Sequence, residues 1–184
     1  MNQSKLPPIS SLQTLPTNDR ALILDALFEP SQPLHTLSVE LLHTQTFQSY
    51  DDLIATIGNQ LSDLAESAST SDTRWLESIL GAHPQLGAEK VESAQSAAEQ
   101  AQLRGGDGEE DGERLRVLNE EYERVFPGLR YVVFVNGRSR DAVMEDMKAR
   151  IERRDIKAER AAAIKAICEI AADRAQKLTQ APFS

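Results

Sequence analysis

Ser49-Tyr50-Asp51-Asp52, followed by Leu53, Ile57, Leu61 and Leu64, is the stretch whose reading decides the fold class. A serine three residues ahead of a carboxylate is a capping-box pattern, in which side chains satisfy backbone N–H groups that the first helical turn leaves over. Apolar residues then recur at steps of three and four, the spacing of one helix face and not of a half-buried strand. The pattern repeats upstream. Leu24, Leu27 and Phe28 mark an apolar face in the segment from Asn18 to Phe28, with Asn18 as its N-cap. Pro30 and Pro33 then break the chain.

Downstream, Ser67 to Ser71 reads as a small polar loop. Trp75, Leu76, Ile79 and Leu80 form the next stripe, which ends at Gly81-Ala82-His83-Pro84 because proline disfavours helix in the residue before it. Another helix is expected from about Glu92 to Leu103. Arg104 to Glu113 is acidic and glycine-rich and reads as a loop. Leu115, Leu118, Tyr122, Val125 and Phe126 make a further stripe, stopped by Pro127-Gly128. Tyr131-Val132-Val133-Phe134-Val135 is β-like but lacks a partner run, so it reads as an extended buried segment. Val143, Met147 and Ile151 define a helix from about Arg140 to Arg153, and a last helix runs from about Lys157 to Leu178. The expected architecture is all-α: one domain over residues 1–184, a bundle of seven to nine helices. Residues 1–14 and 180–184 would be tails, and 104–113 an acidic loop.

A formal net charge of −9 repels phosphate backbones and anionic lipid, so nucleic-acid and membrane partners are not expected. No apolar run reaches the roughly 20 residues needed to span a bilayer. Cys168 is the one cysteine, so no internal disulfide forms; it reads as a small buried hydrophobe. The N-terminal stretch has no apolar signal core, and Ala181-Pro182-Phe183-Ser184 is not an obvious peroxisomal address, which leaves the peroxisome as the alternative. These features point to the cytoplasm.

The chemistry concentrates near the middle of the chain. Ser96, Glu99 and Gln100 stand at i, i+3 and i+4, which puts a hydroxyl, a carboxylate and an amide on one helix face. His83 lies just upstream, at a proline-bounded helix end. An imidazole beside a carboxylate and hydrogen-bonding groups can bind and protonate a small polar molecule. No second histidine or cysteine stands near His83 at zinc-ligand spacing, so neither a metal nor a cofactor is expected. Arg174 follows Ile167 and Ile170 on the core-facing stripe of the last helix. A core-facing guanidinium needs an anionic partner, which could be Glu99, another internal carboxylate or a substrate carboxylate. Alternatively it snorkels out near the helix end. Asn119 reads as a helix-to-loop tie and Tyr122 as core.

Taken in order, these residues resemble the family of decarboxylases that act on 2-oxo-4-hydroxy-4-carboxy-5-ureidoimidazoline (OHCU). The resemblance rests on His83-Pro84-x-Leu86, Ser96-x-x-Glu99-Gln100 and Asn119-x-x-Tyr122-x-x-x-Phe126. It continues through Val132-Val133-Phe134-Val135, Arg150, Glu159 and Arg174, and covers Leu15 to about Leu178. Gln85 stands where the family often has Asp, and the stretch from His83 to Ser96 is shorter than in many members. The resemblance implies an all-helical, cofactor-free and commonly homodimeric enzyme that converts a small-molecule substrate to (S)-allantoin in urate degradation. It implies that His83 is the acid/base, with Glu99 beside it. Pro84, Ser96, Gln100 and Arg174 would contact the substrate. Two other readings compete: a cofactor-free lyase or hydrolase for another cyclic ureide, and a helical interaction module without catalysis. A buried concave site joining His83, Glu99 and Arg174 favours catalysis.

Overall fold

A computed structural model describes residues 5–88, 94–101 and 109–180 of the chain. Among these a 3-10 helix, Ile9–Thr14, precedes nine α-helices, and there is no strand. The helices are α1 (Thr17–Phe28), α2 (Gln32–Ser38), α3 (Leu41–Thr44), α4 (Tyr50–Glu66) and α5 (Thr70–Leu80). They continue with α6 (Ala94–Ala101), α7 (Glu109–Val125), α8 (Arg140–Arg153) and α9 (Ile156–Gln180). The all-α expectation holds.

Ser49 opens α4 as its side chain predicts. Its Oγ accepts from the Asp52 N–H at 3.1 Å, while Asp52 Oδ2 accepts from the Gln48 N–H at 3.0 Å. Leu53, Ile57 and Leu61 are fully buried along the face so begun. Burying one such side chain contributes about 1.5–3 kcal/mol. That face packs against α9, which also carries α1 and α5. Gly58 makes the α4–α9 crossing close: a Cβ there would lie 3.0 Å from Cys168 Sγ. Cys168 itself is half-buried, and burial pushes its thiol up to about 11. At the start of α9, Asp155 Oδ1 accepts from the N–H groups of Lys157 and Ala158, both at 3.0 Å.

Several boundaries differ from the sequence expectation. Asn18 lies inside α1, and Pro16 takes the N-cap position with its carbonyl accepting from Asp19 and Arg20. Pro33 does not break the chain; it stands in the first turn of α2, where its missing N–H has no helical partner to lose. Ser31 caps that turn by accepting from the Leu34 N–H at 3.4 Å. Residues 5–14 are not a tail: Leu6 and Leu12 are buried, and Tyr50 Oη donates to the Pro7 carbonyl at 2.8 Å. Residues 109–113 of the expected acidic loop are helical, since α7 begins at Glu109. Residues 102–108, on which the rest of that loop falls, lie outside the described residues. At the other end α9 continues through Gln180.

The segment from Leu129 to Val135 buries Leu129, Tyr131, Val132 and Val135 without pairing to a strand, so its buried carbonyls need other partners. Arg150 of α8 supplies one, donating Nη1 to the Val132 carbonyl at 3.1 Å. The same guanidinium is held by Glu159 of α9, through Nε at 2.9 Å and Nη2 at 2.5 Å. Glu159 is fully buried; it also accepts from Tyr122 Oη and, at 3.1 Å, from Arg153 Nη2. Burial opposes the charge on Arg150, but Glu159 outweighs it and raises the guanidinium pKa. Arg150 also lies 4.7 Å from the centre of the Tyr131 ring. This network fixes one wall of the site described next. No helix among the described residues is long and apolar enough to cross a membrane.

Candidate active site

The α5 helix stops at Leu80, and the non-helical turn after it carries His83 into the protein, where it is 3 % exposed. Side chains from three places pin this turn. Gln100 accepts from the Gly87 N–H at 3.0 Å and donates Nε2 to the Gln85 carbonyl at 3.1 Å. Asn119 Nδ2 donates to the Leu86 carbonyl at 2.9 Å, and Arg130 Nη1 to the His83 carbonyl at 3.3 Å. Asn119 is therefore the helix-to-loop tie its position suggested. Gly87 has φ +80, and a Cβ there would stand 2.7 Å from Leu115, so the turn needs glycine twice over.

On α6, Ser96 and Gln100 are buried, while the Glu99 side chain is 22 % exposed. Arg174 reaches this face from α9 and is buried, not snorkelling. Its Nε donates to Glu99 Oε1 at 2.7 Å and its Nη2 to Glu99 Oε2 at 2.9 Å, a two-bond fork. Nη2 also donates to Ser96 Oγ at 2.9 Å and to Glu29 Oε1 at 2.7 Å. Nη1 donates to the Leu27 carbonyl at 3.4 Å.

Glu29 is the residue the sequence reading missed. It stands at the end of α1 and is 3 % exposed, and its Oε1 accepts from Ser96 Oγ at 2.5 Å as well as from Arg174. Its backbone has φ 81 and ψ 149, a region close to glycine-only that costs another residue about 1–3 kcal/mol. The one signal in the sequence was a charged residue between the core pair Leu27-Phe28 and Pro30.

Burial raises the Glu29 carboxyl pKa, but the Arg174 charge with hydrogen bonds from Ser96 and Arg174 outweighs it, and the net direction is down. His83 moves further. Burial first, then the Arg174 charge, pulls its imidazole down to about 4 against the opposing pull of Glu29. At neutral pH the ring is uncharged. His83 Nε2 is buried and has no hydrogen-bond partner among the described residues.

His83, Pro84, Ser96, Glu99 and Gln100 line one cavity of about 40 Å³, closed on the far side by Tyr131, Val132, Val133, Val135 and Ile170. A second pocket of about 70 Å³ shares Glu99, Val133, Val135 and Ile170 with it and is also lined by Asn136, Asp173 and Lys177. All six residues expected from the sequence thus come together, five on the cavity wall and Arg174 behind it. Their bonding differs from a set of substrate ligands. Gln100 holds the turn, and the Ser96 proton goes to Glu29. Among the described residues that line the cavity, His83 has a buried Nε2 without a hydrogen-bond partner, and the Glu99 side chain remains partly exposed. Among the described residues no group of three or more His, Cys, Asp or Glu could hold a metal ion.

The model of one protein family matches residues 13–176, and its description is OHCU decarboxylase. No curated protein matches the chain.

Proposed function

The chain belongs to the OHCU decarboxylase family, and from that premise we propose how its own residues carry the reaction. The family removes CO₂ from OHCU to give allantoin in urate degradation, so the chain is a carboxy-lyase with a small-molecule substrate. The interaction-module reading has nothing left to explain.

The single observation that carries the site assignment is His83, which lines the cavity and whose buried Nε2 has no hydrogen-bond partner among the described residues. Leaving a buried ring nitrogen unbonded costs about 1–3 kcal/mol, a cost that makes sense where a ligand completes the bond. In the reaction the bond from C4 to the carboxylate breaks and CO₂ leaves; the electron pair forms a C4–C5 double bond while the ring C5=N pair moves onto nitrogen, which takes up a proton from water. The C4 hydroxyl then gives up its proton to become the carbonyl, and a proton joins C5. An uncharged imidazole beside the ring can accept the hydroxyl proton and return one to a single face. Delivery to one face gives (S)-allantoin. Glu99 lies next to the ring, oriented by Arg174, and Pro84 shapes the wall beside His83. Ser96, Gln100 and Arg174 act by fixing these groups. The 40 Å³ cavity has room for about three water-sized groups, so the substrate extends past Glu99 into the adjoining pocket.

The resemblance to a commonly homodimeric family supports a homodimer, which sedentation by ultracentrifugation checks. A single cysteine, with no internal disulfide, is compatible with a reducing, cytoplasmic setting. The reaction itself is tested by generating the unstable substrate from urate in place and following circular dichroism. Rapid growth of an (S)-allantoin signal is expected. A rate equal to spontaneous, racemic decay would overturn the assignment.

A further inference from the structure

We propose that Glu29 is a positioning residue of this site: it draws Arg174 and Ser96 back into the protein, so that Glu99 and His83 meet the substrate. The inference rests on the decarboxylase reading above for its kinetic consequence, though not for its geometry. Glu29 takes one Nη2 bond of Arg174 at 2.7 Å and the Ser96 hydroxyl proton at 2.5 Å on the same oxygen. Ser96 in turn accepts from that Nη2 at 2.9 Å, closing a three-membered ring of hydrogen bonds. Glu29 does not line the cavity, so it reaches the substrate through its partners.

The backbone argues that the carboxylate is retained for a purpose. With φ 81 and ψ 149, position 29 would be most comfortable as glycine. A residue held in such a conformation persists where the surroundings over-determine it, and sites of function are where that occurs. Here the surroundings are Arg174 and Ser96. Without the Glu29 charge, the guanidinium would present more of its own charge to the cavity. An anionic substrate would then be held more tightly before CO₂ departs. That favours the ground state, in which the charge sits on the carboxylate, over the transition state, in which it has moved into the ring.

The test compares Glu29→Gln with the wild type by calorimetry, using two non-reacting hydantoins: anionic hydantoin-5-acetate and neutral allantoin. Glu29→Gln is expected to bind hydantoin-5-acetate about tenfold more tightly with allantoin unchanged. In turnover its kcat falls while KM does not rise, and Glu29→Asp recovers part of the loss. Equal changes for the two ligands, no change for either, or a raised KM at unchanged kcat would overturn the proposal. The two failures separate. Wild-type protein without turnover but with the ligand contrast intact would remove the decarboxylase reading and leave Glu29 as assigned. Turnover without the contrast would do the reverse.

Discussion

Arg174 holds Glu99 by two near-parallel hydrogen bonds, Nε to Oε1 at 2.7 Å and Nη2 to Oε2 at 2.9 Å. The arginine is 2 % exposed, and burial opposes its charge, but bonds to Glu99 and Glu29 raise its pKa on balance. Arg174→Lys keeps the charge and loses the fork, so activity should fall while the fold survives. Arg174→Met leaves two carboxylates without their shared cation. Breaking a buried pair in this way costs about 3–5 kcal/mol, or a thermal midpoint lower by roughly 10 °C for a domain of this size. Calorimetric melting of the two variants checks the difference.

His83 should behave in the opposite sense. Its Nε2 is a buried polar atom without a partner among the described residues, so replacing the ring by an apolar side chain removes a destabilising group. His83→Leu is expected to melt no lower than the wild type while losing about 10²–10⁴ in kcat/KM. A large fall in the melting temperature would show the ring to be structural.

The position of His83 also sets a pH dependence. Its pKa drops from 6.5 to about 4 on folding, through burial and the Arg174 charge. Between these values the unfolded chain binds a proton that the folded chain refuses, so stability declines as pH falls from about 6.5 to about 4. The loss over that window is on the order of 3 kcal/mol. Denaturant titrations at pH 7 and pH 4.5 should reveal it, and His83→Leu should lack that share of it. For turnover, the same uncharged ring predicts an acid limb of kcat/KM near pH 4.

The Arg150–Glu159 pair offers a test of the wall. Glu159 is fully buried and accepts from Arg150, Arg153 and Tyr122, while Arg150 ties down the Val132 carbonyl. Glu159→Ala removes the buried partner of Arg150 and leaves it only the half-exposed Asp146, 3.5 Å from Nη1, so a loss of about 3 kcal/mol is expected. A smaller loss in a folded variant, with Val132 amide exchange unchanged, would show that the wall does not depend on this pair.

Much of this was legible in the chain itself. The Leu53, Ile57 and Leu61 spacing gave α4, and Val143, Met147 and Ile151 gave α8 with its observed limits. Those segments are long and their apolar period is regular. Position on a stripe raised burial for Arg174 but left snorkelling open beside it, and the structure decides for burial. What spacing could not reveal was which hydrogen bonds are already taken. Ser96, Glu99 and Gln100 share a helix face, yet Gln100 belongs to the His83 turn and Ser96 to Glu29. Glu29 escaped because it lies far from that cluster in sequence and on a residue that ends a helix. Short helices α2 and α3 were missed for a related reason: Pro33 marks a helix start as readily as a break, and four to seven residues carry too little period to read.

The most direct test of the central claim pairs wild-type protein with His83→Leu in one stopped-flow circular dichroism experiment on freshly generated OHCU. The account predicts fast formation of (S)-allantoin with the wild type and decay near the spontaneous, racemic course with His83→Leu, both proteins being equally folded. Fast stereoselective turnover by His83→Leu would contradict it.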